Sequence, residues 1–381
     1  MKKTMAAVAV LGAFAGSAIA ADVTLYGVLD MGLAYNHVDL DQSGVKNKNT
    51  FSMNSGQQSG SRWGLKGVED LGNGLKVGFI LEDGFKADTG VQGDQMFDRE
   101  SSLFLEGGFG KIAFGRMGAI NQGASSWALL NNLSAFTTSF GPFAAQAGSF
   151  VSTAGKWDNM ISYRTPTFAG FTVYTQYSMG KTTAGGKPIE GAIENESSAD
   201  RYYAIGATYA NGPFLGYLAV DSTNYKSTGA NHGVDDSLTV TLGGNYDFDV
   251  AKVFFGAQYF DEVTLSSLGG IIGTTKFDAT TENPSFKVKG YGLGLSASMP
   301  LAGGTGLLGA AYVDGKDADS MSLVDFDFRR WSVSAGYDYA FSKRTNAYAV
   351  ASYMSDKLKE KGDASWNPTA CSFQVGLRHK F

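Results

Sequence analysis

Cysteine is almost absent: Cys371 is the only one in 381 residues, which excludes an intrachain disulfide and a thiolate metal cluster. Histidine is nearly as scarce, with only His37, His232 and His379. A hydrolytic nucleophile needs a base beside it, and none of the three has a carboxylate at readable spacing, so no enzyme is expected. No segment after residue 20 approaches the ~20 consecutive apolar residues of a membrane-spanning helix. There is no basic tail, and 31 Lys and Arg against 36 Asp and Glu argue against nucleic acid as a partner. The glycine cluster Ala302-Gly-Gly-Thr-Gly306 lacks the Lys-Ser/Thr ending of a phosphate loop. The acids Asp314, Asp317, Asp319, Asp325 and Asp327 lack calcium-loop spacing. No cofactor or metal is implied.

What is present starts with an export signal. Lys2 and Lys3 precede an apolar run from Met5 to Gly16 and a small-residue cleavage site at Ala18-Ile19-Ala20, the layout of a cleaved signal peptide spanning 1–20. Its removal leaves a formal charge of -7 on 21–381, from 29 basic and 36 acidic residues. The whole sequence has 51 glycines, 7 prolines and 13% aromatics, a composition suited to sheets with tight turns and interfacial rings.

Apolar residues recur with period two, the alternation of a strand with two unlike faces. Val23, Leu25, Leu29, Met31, Leu33 and Tyr35 share one face, with Thr24, Asp30 and Asn36 opposite. Leu238, Val240, Leu242, Tyr246 and Phe248 oppose Thr239, Thr241, Gly243, Asn245, Asp247 and Asp249. Tyr291, Leu293, Leu295, Ala297 and Met299 oppose Gly290, Gly292, Gly294, Ser296 and Ser298, and Trp331, Val333, Ala335, Tyr337 and Tyr339 oppose Arg330, Ser332, Ser334, Gly336 and Asp338. The last strand ends Phe373-Gln-Val375-Gly-Leu377-Arg-His379-Lys-Phe381. A soluble sandwich also alternates, but seldom sets so many Tyr and Trp at strand ends. An exported chain with this pattern throughout is expected to be an all-β, transmembrane antiparallel β-barrel.

Connections are of two kinds. Short turns are expected at Leu71–Gly74, Gly107–Gly110, Thr167–Gly170, Asn211–Pro213, Pro300–Gly306 and Phe341–Thr345. Longer polar loops fall near 37–49, 86–96, 118–156, 179–199, 222–236, 261–287, 316–326 and 356–370. Short periplasmic turns with long extracellular loops are the outer-membrane arrangement, and the count gives about 16 strands around an aqueous lumen.

The chain resembles the Gram-negative general porins of the beta-proteobacterial type. The resemblance rests on Asp22-Val-Thr-Leu-Tyr-Gly27, on Ser61-Arg62-Trp-Gly-Leu-Lys66-Gly-Val-Glu69-Asp70-Leu-Gly72, and on Gly107-Gly-Phe109-Gly-Lys111 with Phe114-Gly-Arg116. Tyr339-Ala-Phe-Ser342-Lys-Arg-Thr345 and Gly376-Leu-Arg-His-Lys-Phe381 complete it. It implies a homotrimer of sixteen-stranded barrels in the outer membrane, passing small hydrophilic solutes and ions. It implies a third loop folded into the lumen, basic residues at the narrowest point, and a terminal aromatic, Phe381, read by the barrel-insertion machinery.

The longest loop, 118–156, is the third from the front, and a structureless loop of that length is usually functional. Between Gly118 and Trp157 it has no Asp or Glu, and Lys156 is its only base. Its aromatics Trp127, Phe136, Phe140, Phe143 and Phe150 are expected to pin it to the wall, while Asn121, Gln122, Asn131, Asn132 and Gln146 meet water. The candidate pore-constriction residues are Arg62, Lys66, Arg99, Arg116 and Arg164. Parity points Arg62, Lys66 and Arg164 inward. Arg99 shares the parity of Leu103 and Leu105, which leaves its inward placement open. Arg116 shares that of Ile112 and Phe114, which alone points at lipid, so it is expected past a bulge or at the mouth. Balancing acids would come from Glu82, Glu106 or Asp158, or the transverse field is weak. The expected function is a general diffusion porin preferring anions. The alternatives are a substrate-specific channel for a small organic anion or sugar, an outer-membrane hydrolase, and an adhesin-like barrel. A sugar path would need an aromatic ladder, for which Tyr26, Tyr174, Tyr202 and Tyr348 have inward parity on scattered strands.

Overall fold

The alternating segments pair as antiparallel strands that close into a ring. The structure is a computed structural model that describes residues 23–41, 46–123, 125–137, 140–141, 143–144, 150, 155–226, 235–268, 272, 287–318, 325–362 and 365–381. The expected signal at 1–20 lies outside the described residues, as do Gln146, His232 and Asp319. The strands are β1 (Thr24–Asp39), β2 in two pieces (Lys48–Ser55 and Arg62–Gly72), β3 (Leu75–Gly84), β4 (Glu100–Gly107), β5 (Gly110–Gly118), β6 (Lys156–Arg164), β7 (Phe171–Ser178) and β8 (Arg201–Asn211). They continue as β9 (Phe214–Asn224), β10 (Ser237–Asp247), β11 (Lys252–Thr264), β12 (Lys287–Leu301), β13 (Gly304–Asp317), β14 (Phe326–Ala340), β15 (Thr345–Glu360) and β16 (Thr369–Lys380). Each pairs with its sequence neighbours, and β16 returns to β1 from Val28 opposite Lys380 to Asp39 opposite Thr369. Beyond β16, the Gly27 and Phe381 amides exchange hydrogen bonds of 3.1 Å. No sheet edge is left in the ring, so the wall's backbone groups are satisfied without water.

The short turns are built by left-handed residues. Asn73 and Gly74 (φ 53° and 78°) and Ala302 and Gly303 (φ 45° and 79°) make the paired positive-φ turns that match strand twist. One turn differs from the sequence expectation. Asp249 stands in a turn between β10 and β11 with φ 66°, not on the polar face of β10. Asx residues tolerate that region, and an Asp continuing an alternating run gives no sign of the change.

Burial is inverted relative to a soluble protein. Leu242 is 57% exposed, Leu295 60% and Phe373 53%, whereas Thr241, Gln258 and Gln374 on the opposite face are at most 2% exposed. So large an apolar outer surface is stable only against lipid, since a soluble monomer's largest patch is roughly 300–600 Å². Aromatic pairs bound the band. Near the short turns lie Phe171–Tyr209 and Tyr246–Phe248, with centroids 4.5 Å apart, and Tyr339–Phe341 at 5.4 Å. Farther up lie Tyr177–Tyr203 and Trp331–Tyr353, both 5.1 Å apart. Trp331 and Tyr339 on β14 are separated by ~26 Å of strand, or ~20 Å of height at a tilt of ~40°, close to the ~25 Å apolar band of such barrels.

The inner face is not empty. The third long connection crosses the lumen, and the root of the sixth also folds inward, which the sequence did not suggest. Leu265 and Leu268 are buried with Phe260, Val288, Val313, Phe326, Phe328 and Leu358. A buried ion pair holds them, with Arg330 Nε 2.7 Å from Asp356 Oδ1 and Nη2 2.8 Å from Oδ2. Arg330 Nη1 also donates to the Leu268 carbonyl at 2.5 Å.

Because Leu242 faces lipid at mid-strand, Leu242→Arg is expected to cost ~2–4 kcal/mol and Leu242→Val less than ~1.5 kcal/mol. Urea titration of refolding into lipid vesicles measures both.

Candidate functional site

The third long loop lies along the inner wall because the wall is shaped to receive it. Ile120 N donates to Gln176 Oε1 at 2.7 Å. Asn121 is fully buried, its Nδ2 donating to Asp221 Oδ1 and Thr239 Oγ1, each at 3.2 Å. For Asn121 this overturns the expectation that the loop's amides meet water, since it is an anchor; Asn131 lines the open cavity as expected. Farther along, Ser126 Oγ donates to Glu100 at 2.8 Å, Asn245 Nδ2 to the Asn132 carbonyl at 3.0 Å, and the Ala135 amide to Ser296 Oγ at 2.9 Å. The loop reaches the seam, where Phe140 N donates to Gln57 O at 2.5 Å and Gln374 Nε2 to Phe140 O at 3.0 Å.

Its apolar side chains seat on inward-facing glycines. A Cβ built on Gly206 would lie 2.9 Å from Ile120, on Gly243 2.7 Å from Leu133, on Gly256 2.8 Å from Phe150, and on Gly294 3.0 Å from Phe150. The docking track is thus shared by four strands, one glycine each from β8, β10, β11 and β12. Trp127, Phe136, Phe140 and Phe150 are each at most 4% exposed, as expected for residues that pin the loop.

Between loop and opposite wall remains a cavity of about 510 Å³. Its charged lining is Arg62, Arg99 and Arg378 with Glu82, Glu100 and Asp338. Glu82 stands between two arginines, 3.3 Å from Arg62 Nε and 2.6 Å from Arg99 Nε, and accepts the Tyr26 hydroxyl at 3.0 Å. Arg378 donates to neutral partners, Asn346 Oδ1 at 2.9 Å and Ser59 Oγ at 2.8 Å. Glu100 is 3% exposed and bonds Ser102 and Ser126. The loop's contribution, from Gly123 to Phe140, carries no charge. Ser59 is presented by the bend that splits β2, and Asp30 makes that bend. Its carboxylate is fully buried, accepting the Gln58 and Ser59 amides at 2.7 and 2.6 Å and the Tyr348 hydroxyl at 2.7 Å.

A sixteen-stranded barrel with an inward loop over a basic wall is a channel architecture. A sequence model of the family described as Gram-negative porin matches residues 7–359. The chain belongs to the Gram-negative porins. An outer membrane porin protein of Bordetella pertussis is 35% identical, and outer membrane porin protein 32 of Delftia acidovorans 31%, each over 100% of both chains. A solved anion-selective porin from Comamonas acidovorans superposes with a TM-score of 0.69 at 26% identity, covering 95% of this chain and 100% of that one. The porin therefore sits in the outer membrane, short turns toward the periplasm and long loops outside.

The five basic candidates of this porin do not share one place. Arg62 and Arg99 meet at Glu82. Arg99 precedes β4, after Phe97 at φ 54°, so strand parity does not apply to it and it lines the cavity beside Glu100. Lys66 lies toward the periplasm, its ammonium 5.2 Å from the Tyr26 ring centroid, and is not among the cavity's lining residues. Arg116 is a correction. It is the register partner of Ser101, on the outward row with Leu103, and ion-pairs with Asp158. A bulge between Gly115 and Met117 is present, but it leaves the side chain outside, where Nε also donates to Asp98 O at 2.9 Å. Arg164 is a second correction: it is the register partner of Lys111 and Tyr174 and lines a separate cavity at the periplasmic end. Of the candidate acids, Glu82 joins the arginines, Asp158 is taken by Arg116, and Glu106 is in the lower cavity. Of the tyrosines with inward parity, Tyr202 and Tyr348 are at most 3% exposed, so the four form no ladder. Sequence reasoning missed Arg378. Its parity with Gln374 and Gly376 places it on the wet face, but nothing local brings the last strand beside Arg62.

The glycine track generates a test. Gly256→Leu would drive side-chain atoms into Phe150 and Leu133, lifting the loop off β11. Larger and noisier single-channel conductance is expected, with faster proteolysis of the loop in detergent; unchanged values for both would show that the loop is held without the track.

Proposed function

We propose that this general diffusion porin works as a homotrimer with a mild preference for anions, set by Arg62, Arg99 and Arg378. The observation that carries the reading is that all three lie on one wall of the narrow cavity and face a loop segment without charge. Solutes pass through water, limited in size by the third loop and biased in charge by the arginines. Glu82 lies on the same wall and is shared by two arginines, so it weakens the basic surface and sets no field across the lumen. The lining holds as many acids, Glu82, Glu100 and Asp338, as arginines, so the bias comes from the arginine nearest the path of the ion rather than from a net charge. One charge ~6 Å from an ion in water is worth ~0.7 kcal/mol, about a threefold preference before screening. The anion-selective porin from Comamonas acidovorans supports the sign.

The trimer reading is supported by the outer wall. Most ring pairs of the two belts lie on β7–β15, whereas β1 presents Leu25, Leu29 and Leu33 with a single exposed ring, Tyr35. Aliphatic surface of this kind suits subunit contact better than lipid headgroups, which favour Tyr and Trp. At the seam, Phe381 remains 47% exposed and is accessible to the insertion machinery. His37 and His379 bond Asn49 and Thr345, and neither lines the cavity.

The test is the reversal potential of the refolded porin under a potassium chloride gradient, with conductance steps in threes. Anion sign is expected. Glu82→Gln should raise the chloride preference severalfold, Arg62→Gln combined with Arg378→Gln should abolish it, and Arg116→Gln should leave it unchanged. A cation-sign potential for the unmodified porin sinks the reading.

A further inference from the structure

We propose that the periplasmic mouth holds a second anion site, in which Arg164 and Lys111 bind a compact oxyanion carrying two or more negative charges. Arg164 ends β6, Lys111 is the second residue of β5, and the two are direct register partners on the lumen face, one inward step below Ala113 and Ser162. Like charges directly opposite on neighbouring strands are destabilising, and here the fold maintains them. Gly110 (φ +107°) lets β5 run close beside Arg164: a Cβ there would collide with the Arg164 carbonyl oxygen. Lys111 is held from the other side, its ammonium 3.6 Å from the Phe104 ring centroid and 5.9 Å from that of Trp127, a cation–π arrangement that fixes its position.

The two cations line a cavity of about 440 Å³ with Glu106, Thr167, Thr172 and Tyr174. Glu106, the only carboxylate in that lining, faces Lys111 as its register partner on β4 and offsets part of that charge, but among the described residues it makes no ion pair with either cation, and the partner of Arg164 on β7 is the neutral Tyr174. This differs from the narrow cavity, where Glu82 bridges two arginines. The turn residues Gly107, Gly110 and Pro166 also line the lower cavity, so it opens toward the periplasm. Trp127 of the third loop caps Lys111 from above. A guanidinium fork beside an ammonium, with hydroxyls at its edge, matches a phosphate-like or dicarboxylate group better than chloride. Anions that clear the narrow cavity meet this site next, and anions from the periplasm meet it first. The proposal goes beyond the anion preference argued above and stands on different residues.

Inorganic pyrophosphate, added to one chamber at a time while chloride current is recorded, tests it. Block is expected at about tenfold lower concentration from one chamber than from the other. Arg164→Gln should raise the half-blocking concentration about tenfold and erase the asymmetry, and Arg164→Lys should restore part of it. Lys111→Met, which keeps the contact with Phe104, gives the same reading should Arg164→Gln fail to insert. Arg62→Gln should lower chloride preference while leaving the one-sided block. Equal block from both chambers, or block unchanged in Arg164→Gln, overturns the site. A cation-sign reversal potential with one-sided block intact would overturn the anion preference alone.

Discussion

Backbone hydrogen bonding without water is the constraint on which the rest of this porin depends. In hydrocarbon every exposed amide and carbonyl must find a partner within the protein, so the sheet has to close, and closure runs through the seam of β1 and β16. The Gly27–Phe381 pair finishes it: a Cβ on Gly27 would run into the terminal ring, so the small residue lets the last side chain lie against the first strand. Once the ring is shut, each strand has one face toward lipid and one toward water, and the alternation along the chain follows.

Closure also creates a problem that the third loop solves. Ordering a loop residue costs roughly 1–2 kcal/mol of backbone entropy. Burying a large apolar side chain returns roughly 1.5–3 kcal/mol, which only part of the loop can supply. Hydrogen bonds from Asn121, Ser126, Ala135 and Phe140 to wall residues contribute the remainder, and the wall glycines remove the steric obstacle. Seating the loop leaves the narrow cavity on the β1–β4 and β16 side, where the arginines are.

The charges are arranged by stacking order within the wall. Glu82 lies between Arg62 and Arg99, so acid and base share one side and the loop opposite stays neutral. At the periplasmic end Lys111 and Arg164 sit side by side without such a bridge. The porin therefore has basic surface at two heights, tempered in the first and less so in the second. An anion crossing the lumen meets them in series.

The sequence alone determined the barrel, its strand count, the two kinds of connection and which loop is longest, while the inward fold of that loop was implied by the resemblance to the general porins. The first four are local: strand faces repeat every two residues, turns announce themselves by Gly and Asn, and loop order is chain order. It also placed Arg62 on the wet face beside a loop without acids. Only the tertiary structure decided which basic residues meet. Arg378 comes from the last strand, far in the chain from Arg62 on β2 and Arg99 ahead of β4, and their meeting depends on the stagger of the closed ring. Arg99 escapes parity because it precedes its strand after a left-handed residue. Arg116 stays outward because its row is set by pairing with Ser101. Arg164 is separated from the others by its height on β6, a coordinate that side-chain alternation does not carry.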